Sequence, residues 1–246
     1  MPTTTQPTST PSAAGDLNPQ LLEVLQSLAQ ALERQSLQQE VLWKQGEALN
    51  ALLAFIRPDA LFPPTRGWAA SPDFLKLLAE LIMTTRPESV VEASSGVTTL
   101  TAAYCLKRLG RGRVTALEHD ETYAARTSAL ICEHGLEDFA TVVHAPLSRQ
   151  AVDGEEFAWY DPKAVTAIAQ VDLLVVDGPP ARTGPLARYP ALPMFANALQ
   201  AGATILADDG GRAPEQEMVR RWMARFPGLQ AEFIELEKGA FRLRWP

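Results

Sequence analysis

The sequence predicts an α/β protein: a doubly wound, Rossmann-like sheet of seven mostly parallel strands that ends in an antiparallel hairpin, preceded by a long N-terminal helix. Three observations carry the prediction. From Ser89 onward, short apolar runs alternate with helix-length segments, the pattern of a parallel sheet with right-handed crossovers. The last two runs, 231–236 and 240–244, are joined by a tight turn at Lys238 and Gly239, so one terminal strand must run antiparallel. Residues 17–57 hold one glycine, Gly46, and no proline after Pro19, which predicts one uninterrupted helix of roughly 60 Å at about 1.5 Å per residue.

Three segments follow in order. Residues 1–16 are Thr, Pro, Ser, Ala and Gly with almost no bulky apolar side chain, and predict a disordered tail. Residues 17–57 form the helix. Its apolar positions repeat close to every seven residues: Leu21, Leu28, Leu42, Leu49 and Ile56, with Leu25, Leu32 and Leu53 four positions beyond such a repeat. Gln35 and Gln39 make a polar layer in that seam. The pattern predicts a coiled coil between copies of the chain; the competing reading is a helix lying on its own domain. Residues 58–246 form the α/β domain. Its first helix is announced by Ser71 as cap, Pro72 at the first helical position and Asp73 in the first turn. Strands are expected at 89–93, 113–117, 141–144, 171–176, 203–207, 231–236 and 240–244. Helices are expected at 98–108, 121–134, 161–168, 190–198 and 213–226.

Bulk properties exclude several functions. The net charge is −7 and no Lys/Arg run of five or more is present, which argues against a nucleic-acid partner. The opening residues have neither an apolar core nor early positive charge, and no apolar run approaches about 18 residues, so neither a secretory signal nor a membrane span is expected. Cys105 and Cys132 alone make no disulfide framework. The expectation is a cytoplasmic protein.

In an open α/β sheet, ligands bind outside the carboxyl ends of the strands. Those ends carry Glu92 with Ala93-Ser94-Ser95-Gly96, then Glu118-His119-Asp120, His144-Ala145-Pro146, Asp177-Gly178-Pro179 and Asp208-Asp209-Gly210. Four of the five are acidic. Carboxylates gathered on one edge repel each other, so the clustering points to a functional site. Glu118 follows Gly96 at the spacing of an acidic residue that hydrogen-bonds ribose hydroxyls, a geometry shared by NAD-binding and S-adenosylmethionine-binding folds. The turn reads A-S-S-G-V-T rather than G-x-G-x-x-G, so it lacks the glycines that let a pyrophosphate approach the backbone.

The fragments "VVEASSGVTTL", "VTALEHD", "VDLLVVDGPP" and "ATILADDGG", in this order and followed by a hairpin, resemble the class I S-adenosylmethionine-dependent methyltransferases over roughly residues 71–245. The resemblance implies that Glu92, Ser94, Ser95 and Gly96 surround the methionine part of the cofactor. It implies Glu118 on the ribose and Ala145 near the adenine, with His119 beside them. Ser94 stands where the family's first glycine is expected; its side chain either crowds the cofactor or hydrogen-bonds its carboxylate. "ILADD" is similar to the cation-dependent, catechol-type O-methyltransferases, which implies Mg2+ or another divalent cation on Asp177, Asp208 and Asp209. The family's lysine base is replaced by Pro179-Pro180-Ala181, and Arg182 cannot act as a base at neutral pH. If proton transfer needs a side chain, His119 or Asp177 is the candidate; otherwise the acidity conferred by the metal does the work.

The expected activity is methyl transfer from S-adenosylmethionine to a hydroxyl of a small-molecule or saccharide acceptor, by a homo-oligomer. The segments 65–68, 155–161 and 181–190 are candidates to touch substrate, with Trp159 and Tyr160 as a stacking wall and Arg182 and Arg188 facing an anionic group. Two alternatives remain: an NAD(P)-binding oxidoreductase, and a non-catalytic oligomeric scaffold with a degenerate cofactor site.

Overall fold

The computed structural model describes residues 18–67 and 69–246. The tail expected at 1–16 and Trp68 lie outside the described residues. The chain divides into two compact units, up to Trp43 and from Lys44 to Pro246. Helix α1 (Pro19–Ile56) runs through both.

In the first unit the seam side chains Leu21, Leu25, Leu28 and Leu32 are exposed. In the second unit, the last turns of α1 bury Gln45, Ala48, Leu52 and Ile56. This face is rotated from the heptad seam: Gly46 is exposed and Leu49 and Leu53 are half-buried. Leu52 and Ile56 join Phe74, Leu75 and Leu78 of α2 (Pro72–Thr85) in one cluster, and the Gln45 side chain accepts the Asp73 N–H at 3.1 Å. Here the helix lies on its own domain.

The sheet has seven strands. They are β1 (Ser89–Ala93), β2 (Arg113–Glu118), β3 (Ala140–His144), β6 (Val171–Val176), β7 (Leu199–Asp208), β8 (Gln230–Ile234) and β9 (Ala240–Arg244), in the order β3-β2-β1-β6-β7-β9-β8. Only β9 runs antiparallel to its neighbours. The expected doubly wound sheet with a terminal hairpin is therefore present. Near-continuous apolar runs suit strands covered on both faces. Alternate side chains enter two clusters: Val91, Ala93, Leu174 and Val176 pack with Trp222 of α7 (Ala213–Arg225), and Val90, Leu173 and Val175 pack with Leu100 of α3 (Val97–Leu109).

Two further strands lie where a loop was expected. β4 (Leu147–Val152) and β5 (Glu155–Tyr160) form a separate antiparallel hairpin. Its turn is Asp153-Gly154, both at positive φ, the Asp-Gly pairing that closes a two-residue hairpin. "EEFAWYD" is thus mostly strand. Helix α5 (Pro162–Thr166) and helix α6 (Ala191–Phe195) are shorter than expected, and α4 (Glu121–Glu133) ends one residue early.

Register levels the strand ends. Ala93 pairs with Leu117 of β2 and with Val176 of β6, and Val176 pairs with Ala207 of β7. The next residues, Glu118, Ser94, Asp177 and Asp208, therefore stand in one row along the carboxyl edge. The order reverses between β1 and β6, which is where an open α/β sheet leaves its crevice.

Candidate active site

A cavity of about 510 Å³ opens at that reversal point. Ser94, Ser95, Glu118 and His119 line one side; Asp177, Arg188 and Asp209 line the other, with Tyr160 between. Of the remaining expected residues, Glu92, Gly96, Ala145 and Asp208 are not in the lining. They sit behind it.

The turn after β1 explains the difference. Glu92 shares the strand parity of Val90, so its side chain points to the helix layer rather than into the cavity. It is buried, and the hydroxyls of Thr98 and Thr99 donate to its two oxygens, the second at 2.7 Å. Thr99 also accepts the Gly96 N–H at 3.0 Å, so one threonine ties the turn to the strand. Burial pushes the Glu92 carboxyl up to about 7, against the two threonine hydrogen bonds, with Glu118 adding to the rise. Ser94 takes φ 131°, a region that glycine tolerates far better. Its N–H donates to the Leu117 carbonyl at 3.0 Å, which holds it there.

Glu118 is nearly buried. Its Oε2 accepts from the Ser95 hydroxyl at 3.0 Å, and its Oε1 accepts from the Asp120 N–H at 3.0 Å and lies 2.9 Å from His119 Nδ1. Asp120 caps α4 by accepting the Tyr123 N–H at 3.1 Å. The Ala145 N–H is used by the Glu118 carbonyl at 2.7 Å.

Tyr160 ends β5 under the cavity. Its hydroxyl is buried with no hydrogen-bond partner, and burial raises its pKa well above the usual phenol value. Trp159 points the other way, into the core. Of the expected aromatic wall, only Tyr160 faces the site. Gly178, beside it, is close-packed: a Cβ there would stand 2.9 Å from the Tyr160 hydroxyl and 3.1 Å from the Ser94 Cβ.

Asp177, Asp208 and Asp209 converge, each offering an oxygen within 4.8 Å of the others. Their chemistry suits a hard divalent cation. A guanidinium already stands among them. Arg188 Nη2 donates to Asp209 Oδ2 at 2.8 Å and to Asp177 Oδ1 at 3.3 Å, and Nη1 donates to the Asp208 carbonyl at 3.1 Å. Arg212 reaches the same Asp209 oxygen at 2.9 Å. With these contacts the three carboxylates do not fit a resident metal. Burial raises the pKa of Asp177 and of Asp208; Arg188 opposes it for Asp177, while the neighbouring aspartates add to it for Asp208.

Sequence reasoning placed Arg188 on substrate and overlooked Glu215, 3.8 Å from its guanidinium. The available signal was charge: several buried carboxylates need a counter-charge, and Arg188 is the buried arginine of this domain. The segment 65–68 was expected to touch substrate and cover the cofactor. Gly67 does line the cavity, and Lys238, from the β8–β9 turn, donates to the Gly67 and Ala69 carbonyls at 3.2 Å.

Comparison with known proteins agrees with this architecture. Residues 93–210 match a family model described as "Methyltransferase domain". A methyltransferase from Geobacter sulfurreducens superposes with a TM-score of 0.54 at 14% identity, covering 81% of this chain and 88% of that one. The O-methyltransferase from Bacillus cereus in complex with SAH gives 0.56 at 17%, covering 81% and 91%. An O-methyltransferase from Streptomyces achromogenes involved in tomaymycin synthesis, in complex with SAM, gives 0.53 at 16%, covering 82% and 88%. No protein of curated function matches the sequence. The matched segment runs from the end of β1 to just past the end of β7 and so contains the whole row of strand ends: residues 93–210 are similar to a methyltransferase domain, and the chain has the Rossmann-like fold of the methyltransferases it superposes on.

Proposed function

We propose that the protein transfers the methyl group of S-adenosylmethionine to a hydroxyl oxygen of a small-molecule or saccharide acceptor. The observation that carries this reading is the cavity at the β1/β6 reversal, with hydroxyl and carboxylate groups of Ser94, Ser95 and Glu118 on one side and Asp177 on the other. SAM and SAH in the neighbouring structures support it.

The residues fit such a ligand. Ser95 and Glu118 would hold a ribose, since the Glu118 oxygens retain acceptor capacity beyond their present partners. Ser94 and the backbone of its turn would meet the methionine end, with Glu92 and Gly96 shaping that turn from behind and Ala145 flanking the adenine. The unpartnered Tyr160 hydroxyl supplies a donor. Bound S-adenosylmethionine provides a methyl on a positively charged sulfur, an electrophile that needs no covalent enzyme intermediate. The protein's work is then to orient the acceptor oxygen, exclude water and take one proton. Asp177 is the better placed base: it lines the cavity, and its raised pKa makes its carboxylate more basic than an exposed one. His119, against Glu118, is the second. No step runs through a divalent cation.

Calorimetry with S-adenosylhomocysteine and with NADH tests the cofactor: the first should bind, and binding of NADH alone would sink the proposal. Labelled methyl transfer to hydroxyl acceptors tests the reaction. Asp177→Asn should lower kcat while leaving S-adenosylhomocysteine binding in place.

We also read the first unit as the means of self-association, because its apolar seam is exposed over Leu21–Leu32 spacing that suits a coiled coil. Among the described residues no helix is long and apolar enough to cross a membrane, and a cytoplasmic location remains our reading.

A further inference from the structure

We propose that the Arg188 guanidinium is the built-in cation of the strand-end carboxylates, so that Asp177, Asp208 and Asp209 are closed to a divalent metal. It rests on the fold and the ion-pair geometry, and not on methyl transfer.

The first argument is position. Arg188 bridges Asp177 and Asp209 through one nitrogen, at 3.3 and 2.8 Å, and reaches the Asp208 carbonyl with another. A hard cation drawing on these three carboxylates would need their oxygens at about 2.0–2.6 Å, which would set it directly against that guanidinium. Two positive centres cannot share oxygens that close without strong mutual repulsion. A planar guanidinium instead satisfies several oxygens at once, with directed hydrogen bonds.

The second argument is that the arginine is held there. Its side chain is only 7% exposed. The next residue is pinned on two sides: the Tyr189 carbonyl accepts the Trp222 indole N–H of α7 at 2.8 Å, and the Tyr189 hydroxyl donates to Asp153 in the β4–β5 turn. Glu215, also on α7, closes the far side of the guanidinium. Swinging Arg188 out would leave buried acids uncompensated and would drag a segment fixed to two elements.

The third argument is redundancy. Arg212 pairs with the Asp209 oxygen that Arg188 already holds. The buried oxygens left without a partner are Asp208 Oδ2 and Asp209 Oδ1. A metal would have to enter through these and the cavity-facing Asp177, which makes metal binding itself the decisive measurement.

The experiment titrates the full-length protein with Mn2+, followed by electron paramagnetic resonance and calorimetry. Wild type should take up no stoichiometric Mn2+ at millimolar concentration. Arg188→Ala should gain one site per chain, and Asp208→Asn added to it should remove that site. Arg188→Lys, which keeps the charge, should gain none. Stoichiometric Mn2+ on the wild type, lost in Asp208→Asn, overturns the proposal, and this arm stands even if Arg188→Ala fails to fold. A folded Arg188→Ala that still binds no Mn2+ also overturns it, since the guanidinium would then not be what closes the site. The titration needs no turnover, so a failure of the methyl-transfer reading would show in cofactor binding and leave this result untouched.

Discussion

Glu92 should make the apoprotein less stable as pH rises, and Glu92→Gln should remove that dependence. The carboxyl is buried and its pKa is raised from 4.5 to about 7, chiefly by loss of hydration. In the unfolded chain it ionises near its ordinary value. Between the two values the folded state holds a proton that the unfolded state has released, so stability falls with rising pH. At about 1.4 kcal/mol per unit, the drop over the full window is roughly 3 kcal/mol, of which about 2 kcal/mol falls between pH 5.5 and pH 8.5. Below 4.5 both states are protonated and the penalty is absent; above about 7 it is complete. Glutamine is close in shape and cannot ionise; its carbonyl oxygen can accept from one of the two threonine hydroxyls while its amide N–H donates to the other. Thermal unfolding of both proteins at the two pH values is the assay. The advantage of the variant should grow by about 4–8 °C from the lower to the higher pH, using about 2–4 °C per kcal/mol for a chain of this size. Taking the difference between proteins cancels the other titrating groups. A difference that does not change with pH would refute the argument that Glu92 is buried protonated.

Three other outcomes follow from the site. Ser94→Gly relieves a serine held at φ 131° but loosens the unfolded chain, so stability should stay within about 1 kcal/mol while S-adenosylhomocysteine binds more tightly by calorimetry. Weaker binding would show that the serine hydroxyl is a contact. Tyr160→Phe deletes a buried hydroxyl without a partner and should stabilise the apoprotein by about 1 kcal/mol in urea unfolding, while weakening cofactor or acceptor binding; no change in either measurement removes Tyr160 from the site. A chain starting at Lys44 should unfold cooperatively and run as a monomer in light scattering, whereas one starting at Pro58 should lose about 2 kcal/mol or more with Leu52 and Ile56. Persisting oligomers in the first would move self-association off the seam.

The sheet was legible because parallel strands buried on both faces leave dense apolar runs: β1 and β6 occupy the residues their composition indicates. The β4–β5 hairpin was harder. Leu147–Val152 is largely exposed and polar, and it reads as a loop unless Asp153-Gly154 is taken as the turn. The row of strand ends was readable, since register follows from aligned apolar runs. Which way each side chain points was only partly so. Glu92 could have been assigned to the helix layer from its parity with Val90. The destination of Arg188 had no local signal, because it depends on how a loop crosses α7. The rotation of the buried face at the end of α1 likewise reflects packing on α2, which a heptad count does not contain.

The levelled strand ends act as a ruler. Adjacent strands lie about 4.8 Å apart, so Glu118, Ser94, Asp177 and Asp208, on four neighbouring strands, span roughly 14 Å. A molecule that touches Glu118 at one end and Asp177 or Asp209 at the other must lie across the strands, over roughly 10–14 Å. Selection by length is thereby written into hydrogen-bond spacing, which no side-chain substitution can alter. Loops around the edge can change what is accepted, but the distance between the two ends of the measure stays the same.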